Sequence, residues 1–214
     1  MNNIQNLILD SHDLTNVKLE KLLSAACPKN IDFADIYFQY INSESWVLED
    51  GIVKSGSSNI DSGVGIRSVS GDKSGFAYSN DFNFDNLITA ANMSKCIVEH
   101  GQSRTIKIGE EKKIKRLYES VSPLDYGKDE TKVLFLKNID KYIRDKDSRV
   151  DQVIVNLVGV YDSVFVLNTD GVNVFDDRPL VRFSVMVILK VGERRESGSA
   201  GGGGRYSYDQ VIDS

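Results

Sequence analysis

The stretch from Glu44 to Asp81 constrains the fold more than any other part of the chain. Short apolar runs recur along it, separated by groups of Gly, Asp and Ser: Asp50-Gly51, Ser55-Gly56, Asp61-Ser62-Gly63 and Ser70-Gly71-Asp72. This pattern predicts successive antiparallel strands joined by turns, because glycine supplies the positive φ angles that tight turns require. Asp50-Gly51 is the strongest hairpin signal in the chain.

Three segments outside this stretch have the 3.6-residue apolar period of amphipathic helices. They are Thr15–Ala26, Asn83–His100 and Lys128–Lys146, and Asn3–Leu9 is a candidate for a further short helix. Thr15 and Asn83 can each cap the helix that follows, because their side-chain oxygens accept hydrogen bonds from backbone N–H groups of the first turn. We expect the second helix to end at Gly101 and to lie across one face of a sheet.

Strand signals occur on both sides of these helices. Phe33–Asn42 alternates loosely and is rich in aromatic residues. After the last helix the pattern predicts four more strands, with Asp170-Gly171 as a hairpin turn: Val150–Tyr161, Val164–Thr169, Val172–Phe175 and Leu180–Val191. Strands, then two helices, then strands again predict an α+β fold. We expect a two-layer sandwich in which two main helices pack on a mostly antiparallel sheet.

Charge and composition argue against some classes of partner. The 214 residues carry a net charge of −5 and a pI of about 5.1, which disfavours a bulk affinity for nucleic acid or anionic membrane. The basic segment Lys107–Arg116 lacks interleaved aromatic residues, so a solvated surface loop is favoured over a nucleic-acid contact. The N-terminus has no secretory signal, and no run reaches the roughly 20 apolar residues of a membrane span. We therefore expect a soluble cytoplasmic protein with no nucleic-acid or membrane partner.

The sequence contains no self-contained catalytic, cofactor-binding or metal-binding site. A zinc centre needs several convergent ligands, whereas His12 and His100 are far apart and neither has a ligand partner at helical spacing. Cys27 and Cys96 are expected to be reduced thiols, and Cys96 is expected to be a buried structural residue of its helix. The segment Gly63-Val-Gly65-Ile-Arg-Ser68 lacks the third glycine and the following helix of a dinucleotide-binding fingerprint.

Three other features leave alternatives open. The run Gly201–Gly204 could cradle an anion with its backbone N–H groups, or it could be a flexible connection or a wide hairpin. Trp46 could line a peptide groove, although a single Trp in a strand is more often a core or interface residue. Asp61, Arg67 and Asp72 could form a structural charge network around the turns.

Four separated motifs together carry a family resemblance. They are SWVLEDGIVK at Ser45–Lys54, NIDSGVGIRSVSGDKSGFAYS at Asn59–Ser79, RPLVR at Arg178–Arg182 and SAGGGGR at Ser199–Arg205. In this order they resemble the N-terminal domain of the TldD/PmbA family of zinc metalloproteases, and its TldD branch more closely. The resemblance implies an N-terminal α+β domain over residues 1–198. It also implies that residues 199–214 are a Gly-rich junction and the start of a catalytic domain.

The same resemblance implies an activity for a longer protein. The family's His-Glu-x-x-x-His motif lies in a C-terminal half that these residues do not contain, so Zn2+ is expected in the full-length protein and not in this region. That protein would be a cytoplasmic zinc-dependent peptidase acting on small or unfolded peptides, as a homodimer or as a heterodimer with a PmbA-like subunit. An exposed sheet edge in the present region could hold the peptide by strand addition. The alternative is a truncated, catalytically inert binding or dimerisation domain.

Overall fold

The computed structural model describes residues 5–97, 105–112, 115 and 117–213. Four α-helices lie in these ranges: α1 Asn16–Ala26, α2 Phe84–Ser94, α3 Asp129–Lys146 and the single-turn α4 Asp209–Ile212. Six strands form one sheet: β1 Phe33–Glu49, β2 Ile52–Ser70, β3 Lys73–Ser79, β4 Val150–Asn168, β5 Asn173–Val191 and β6 Arg194–Gly204. Short helical turns occupy Gln5–Leu9, Asp10–His12, Lys95–Ile97 and Pro123–Asp125. Within the described ranges, no helix is both long enough and apolar enough to span a bilayer.

The strands are antiparallel and follow the order β3-β2-β1-β4-β5-β6, which confirms the predicted α+β fold. After α3 the strands are fewer and longer than predicted. The first two predicted strands form the continuous strand β4, and the last two form the continuous strand β5. The polar residues that suggested a break in β4 are satisfied by side chains of other strands. Ser163 donates a hydrogen bond to Asp177 over 2.8 Å, and Asp162 accepts one from Gln39 over 2.9 Å.

Two of the turns predicted between Glu44 and Asp81 are wrong. Gly56 and Gly63, with the polar residues beside them, lie inside β2. A Cβ at Gly56 would lie 2.7 Å from the Trp46 ring, so this glycine is explained by ring packing and not by a turn. The hairpin at Asp50-Gly51 is confirmed. Both residues have positive φ angles, 50° and 75°, as a type I′ turn requires.

Residue contacts divide the chain into two compact units. Unit 1 comprises Met1–Ile41, Asp61–Arg116 and Asp162–Asp177, and unit 2 comprises Asn42–Ile60, Leu117–Tyr161 and Arg178–Ser214. The long strands β1, β2, β4 and β5 each contribute a stretch to both units. The domain boundary predicted between residues 198 and 199 therefore falls inside unit 2.

In unit 1, helices α1 and α2 bury their apolar faces in one core. Both predicted caps are confirmed: the Thr15 hydroxyl accepts a hydrogen bond from Lys18 N over 3.4 Å, and Asn83 Oδ1 accepts one from Asp85 N over 3.0 Å. The buried residues follow the predicted period: Leu19, Leu22, Leu23 and Ala26 in α1, and Leu87, Ala90 and Ala91 in α2. Helix α2 ends at Ser94, earlier than predicted, and residues 98–100 of the prediction lie outside the described residues.

In unit 2, helix α3 covers a separate core. Its bounds differ from the prediction by one residue. Acidic residues occupy its first turn and basic residues its last turn, which complements the helix dipole. The buried members of this core are Leu48, Leu136, Val153, Val155, Leu157, Val181 and Tyr208.

Candidate functional site

Strand β6 is an outer strand of the sheet and contains the glycine run of the predicted junction. It pairs with β5 along its length, from Arg194 opposite Val191 to Gly204 opposite Val181. The glycine run is therefore neither a flexible connection nor a wide hairpin. It is one strand of a hairpin whose turn lies between Val191 and Arg194. Residues 194–203 are exposed, and among the described strands β6 has β5 as its one neighbour. Its outward backbone N–H and C=O groups consequently form an edge that a further strand could join.

The anion cradle, the third alternative, is also wrong. An anion-binding nest directs successive N–H groups into one concavity, whereas a strand directs them alternately to opposite sides. The neighbouring Arg205 is also engaged within unit 2. Its guanidinium lies 5.4 Å from the centre of the Tyr118 ring and donates a hydrogen bond to the Pro179 carbonyl over 3.4 Å.

Close packing on β5 explains two of the four consecutive glycines. A Cβ at Gly201 would lie 2.6 Å from the carbonyl oxygen of Phe183, and a Cβ at Gly203 would lie still closer to that of Val181. Both obstacles are backbone atoms, which cannot rotate away as a side chain could. A Cβ at Gly202 would meet no atom within 4 Å. The strand therefore requires glycine at 201 and 203 and tolerates a side chain at 202.

The chain after β6 is fixed within unit 2. Tyr208 is completely buried in the core, and its ring occupies the space that a Cβ at Gly159 would fill. The hydroxyl of Tyr126 donates a hydrogen bond to Asp213 over 2.8 Å, and this bond raises the pKa of Tyr126. These contacts hold residues 205–213 and so fix the C-terminal end of β6.

A buried ion pair lies beside Tyr208. The Nζ of Lys132, whose side chain is 2% exposed, is 2.7 Å from Oε1 of Glu44, whose side chain is 10% exposed. The same Nζ lies 5.5 Å from the centre of the Tyr208 ring and 5.9 Å from that of Trp46. Burial, together with the nearby Glu44 carboxylate, raises the pKa of Tyr208, so its phenol stays protonated. Sequence reasoning missed this pair, although Lys132 precedes Leu136 by four residues and so lies on the buried face of α3.

Trp46 packs against the core of unit 2. Its half-buried ring lies across Gly56. The core interpretation of this tryptophan is therefore confirmed.

An open apolar groove of about 630 Å³ lies between α3 and the β5–β6 hairpin, and we call it the α3 groove. Its apolar walls come from both elements: Ile139, Tyr142 and Ile143 of α3, and Phe183, Val185, Val187 and Leu189 of β5. On β6, the residues opposite Phe183, Val185 and Val187 are Gly202, Ala200 and Gly198. These small residues leave the apolar side chains of β5 uncovered towards the outer edge.

A second depression, of about 600 Å³, adjoins the same hairpin and the glycine run. Arg182, Ser184 and Ser199 contribute polar groups to it, and Arg182 is exposed. In the pairing of β5 with β6, Arg182 and Ser184 are opposite Gly203 and Gly201. Because side chains alternate along β5, these polar residues lie on the face away from the α3 groove.

The other candidate residues serve local structure in unit 1. Arg67 pairs with Asp35 of the neighbouring strand β1, with 2.5 Å between Nη2 of Arg67 and Oδ2 of Asp35. The predicted network of Arg67 with Asp61 and Asp72 is therefore wrong, since strand pairing decides which carboxylate Arg67 meets. The segment 63–68 lies within β2, which confirms that it is not a dinucleotide-binding loop.

The basic segment Lys107–Arg116 is described only in part, because residues 113, 114 and 116 lie outside the described residues. Lys107, Lys112 and Lys115 are exposed, whereas the neighbouring Ile106 is buried. The backbone N–H of Lys112 donates to the carbonyl of Asn173 over 2.8 Å. The described part is thus a surface segment fastened to the start of β5.

The described residues do not fit a zinc centre. Nowhere in them do three or more His, Cys, Asp or Glu side chains converge. His12 is exposed and packs edge-on against Phe82, with ring centres 5.0 Å apart, and His100 lies outside the described residues. Cys27 and Cys96 are both reduced cysteines, as predicted. Cys96 is exposed and not buried, because α2 ends before it.

Two family models match the chain, and together their ranges include most of it. The PmbA/TldA metallopeptidase domain 1 matches residues 34–97, and the PmbA/TldA metallopeptidase central domain matches residues 123–214. The chain belongs to the PmbA/TldD family. This membership confirms the resemblance carried by the four motifs. Strand β6 and the segment that fixes it lie in the range matched by the central domain.

Curated relatives are named metalloprotease TldD homologs. The one from Haemophilus influenzae is 38% identical in an alignment of 218 positions that covers 100% of this chain and 45% of that protein. The one from Buchnera aphidicola subsp. Schizaphis graminum is 38% identical over 207 residues, which are 96% of this chain and 42% of that protein. The chain thus spans less than half the length of these relatives.

Solved structures share the fold at low sequence identity. A Thermotoga maritima protein described as a modulator of a DNA gyrase aligns with a TM-score of 0.70 and 18% identity, over 92% of this chain and 45% of that one. TldE from Thermococcus kodakarensis aligns with a TM-score of 0.65 and 14% identity, over 92% of this chain and 46% of that one.

Proposed function

We propose that this chain forms the N-terminal part of a TldD-like metallopeptidase, and that the outer edge of β6 holds the substrate as an extended peptide. The observation that carries the proposal is an exposed outer strand whose last four residues, Gly201–Gly204, have no side chains. A peptide can join such an edge through its own backbone, whatever its sequence. Bare glycines also let that backbone approach closely.

Backbone pairing favours substrates without a stable fold. In a folded protein nearly all backbone N–H and C=O groups are already hydrogen-bonded, so they are not free to pair with β6. The proposed substrates are therefore small or unfolded peptides. Family membership and the names of the curated relatives support a metallopeptidase. The proposal includes a cytoplasmic location and a dimer, either with itself or with a PmbA-like subunit.

The proposal places the metal outside these residues. Since the described part of the chain offers no convergent ligand set, we assign it the binding and orientation of the peptide and no step of cleavage. Zinc-dependent hydrolysis would belong to the portion of the relatives that this chain does not span.

The mass and metal content of the native gene product test the metallopeptidase proposal. We expect a mass about twice 23.8 kDa, since the chain spans 45% of a curated relative, together with bound zinc. Native mass spectrometry and elemental analysis of one sample give both quantities. A mass near 23.8 kDa without zinc would contradict the proposal and favour a catalytically inert binding domain.

Strand addition makes a separate prediction about which backbone N–H groups of the peptide are needed for binding. Along an added strand only every second N–H points towards β6. We would therefore prepare one extended peptide in two forms, N-methylated at its odd or at its even residues. We expect one form to bind the chain like the unmodified peptide. The other form should bind at least tenfold more weakly, because each lost hydrogen bond costs about 0.5–1.5 kcal/mol. Equal affinities of the two forms, measured by fluorescence anisotropy, would exclude strand addition.

A further inference from the structure

We propose that a pocket on the sheet of unit 1 binds a small molecule through a guanidinium group. The pocket has a volume of about 330 Å³, and its aromatic walls are Tyr37 of β1 and Phe76 and Tyr78 of β3. We call it the tyrosine pocket. The proposed function makes no use of it, so this inference stands or falls independently of peptide binding at β6.

The aromatic walls lie on the face of the sheet that turns away from the core of unit 1. Ile36 and Phe38 are buried in that core, whereas Tyr37 between them is 36% exposed. Burial alternates along β3 in the same way, and Phe76 and Tyr78 are 66% and 72% exposed. Large aromatic side chains that are left together on a surface indicate a binding site, because packing within the chain does not account for them.

Glycines of β2 form the floor between these walls. Tyr78 is directly opposite Gly65 in the pairing of β3 with β2, and Gly63 lies two residues further along the same face. A Cβ at Gly65 would lie 3.1 Å from two carbons of the Phe76 ring, so this ring leans across the glycine. A floor without side chains leaves room for a ligand beside the rings.

The polar groups of the pocket favour a cation. Asp61 supplies an exposed carboxylate, and Asn80 supplies an exposed amide. The Nε2 of Gln39 donates a hydrogen bond to Asp162 over 2.9 Å, which leaves the side-chain oxygen of Gln39 as an acceptor. None of the described residues that line the pocket is basic. Acceptor oxygens and a carboxylate beside aromatic rings are complementary to positive charge, since the face of such a ring attracts cations.

The nearest arginine does not cancel this preference. Arg67 is opposite Phe76 in the pairing of β2 with β3, on the side of Phe76 away from Tyr78. Its charge is compensated by Asp35, with 2.5 Å between the two side chains. Arg67 therefore adds little net positive charge to the pocket.

The shape and chemistry of the site favour guanidinium over other cations. Guanidinium is planar, stacks on aromatic faces and gives up its water more readily than an ammonium does. Its five N–H donors match a pocket whose polar side chains offer acceptors from several directions. The volume lies at the lower end of the range for ligand pockets, so we assign it a small molecule and not a protein segment.

A pair of probes that differ in charge tests the proposal. N-acetyl-arginine amide carries the guanidinium, and N-acetyl-citrulline amide has nearly the same shape but a neutral urea group. Binding to the full chain is measured by NMR titration, and we expect a dissociation constant of about 1 mM for the arginine probe. We expect the citrulline probe to bind at least fivefold more weakly, because cation–π attraction and the charge-assisted hydrogen bonds are lost.

Matched variants locate the binding. Tyr78→Leu should weaken binding of the arginine probe about threefold, whereas Tyr142→Leu makes the same change at an exposed tyrosine of α3 and should leave it unchanged. Asp61→Asn should weaken it to a similar extent, and Asp72→Asn, at an exposed position outside the pocket, should not. All four residues are exposed, so the variants are expected to fold, and circular dichroism would confirm this.

Several outcomes would overturn the inference, and none of them bears on strand addition at β6. They are equal binding of the two probes, equal losses in Tyr78→Leu and Tyr142→Leu, and no binding of the arginine probe below about 50 mM. Binding of the peptide Gly-Gly-Arg-Gly-Gly more than tenfold tighter than the arginine probe would show that the site serves a larger partner. A dimer that Tyr78→Leu dissociates, seen by light scattering without probe binding, would assign the pocket to a second copy of the chain.

Discussion

Lys132→Met is expected to lower the free energy of unfolding by about 3–5 kcal/mol. The Lys132 ammonium lies 2.7 Å from Glu44, and the two side chains are only 2% and 10% exposed. Methionine preserves most of the side-chain volume but leaves the Glu44 carboxylate buried without this cation, which is the costly part of breaking a buried ion pair. Chemical denaturation followed by circular dichroism measures the change.

Two further variants separate the ion pair from general effects on α3. Lys137→Met makes the same substitution at an exposed position of this helix, so it should change stability by no more than about 0.5 kcal/mol. Adding Glu44→Gln to Lys132→Met removes both charges and should recover part of the loss. If Lys132→Met and Lys137→Met unfolded at the same denaturant concentration, the buried ion pair would be refuted.

Gly203→Ala is expected to destabilise unit 2 by about 1–3 kcal/mol and to loosen β6 from β5. The new methyl group would overlap the carbonyl oxygen of Val181 and would lie 3.1 Å from the Cα of Arg182. Both obstacles are backbone atoms, so relief requires the two strands to separate locally. Hydrogen exchange should show lost protection of β5 and β6 amides in this variant.

The neighbouring glycine provides the matched control. A Cβ at Gly202 meets no atom within 4 Å, and glycine in a strand interior costs about 0.5–1 kcal/mol relative to alanine. Gly202→Ala should therefore be as stable as the natural sequence or slightly more stable. Equal destabilisation by the two substitutions would mean that glycine is needed for chain flexibility and not for the close approach of β6 to β5.

The two predictions concern one edge of the sheet. Gly203 allows β6 to pair closely with β5, and Lys132 lies against Tyr208, which fixes the chain just after β6. Loss of either feature should therefore weaken the proposed peptide binding at the β6 edge as well as stability.

Sequence reasoning succeeded where the controlling interactions are local. The caps at Thr15 and Asn83, the apolar face of α3 and the Asp50-Gly51 turn depend on residues a few positions apart. Each of them is present in the structure. The α+β class followed from the order of these elements.

Strand β6 shows where sequence reasoning fails. Its Gly, Ser and Ala residues have low strand propensity and no apolar alternation, so no local signal predicts a strand. Pairing with β5 and the burial of Tyr208 decide its conformation. The prediction of the partners of Arg67 failed for the same reason. Its actual partner, Asp35, is distant in sequence and is brought near by the pairing of β1 with β2.

The sequence by itself determined the fold class, the capped helices, the tight hairpin and the family, since these depend on local patterns and short motifs. Only the tertiary structure decided that the glycine run is an outer strand and that it borders an apolar groove. It also decided that a buried Lys132–Glu44 pair lies beside Tyr208, which fixes the chain after β6. The physical reason is that strand register and burial depend on contacts between residues far apart in the chain, and a local pattern of residue types does not encode them.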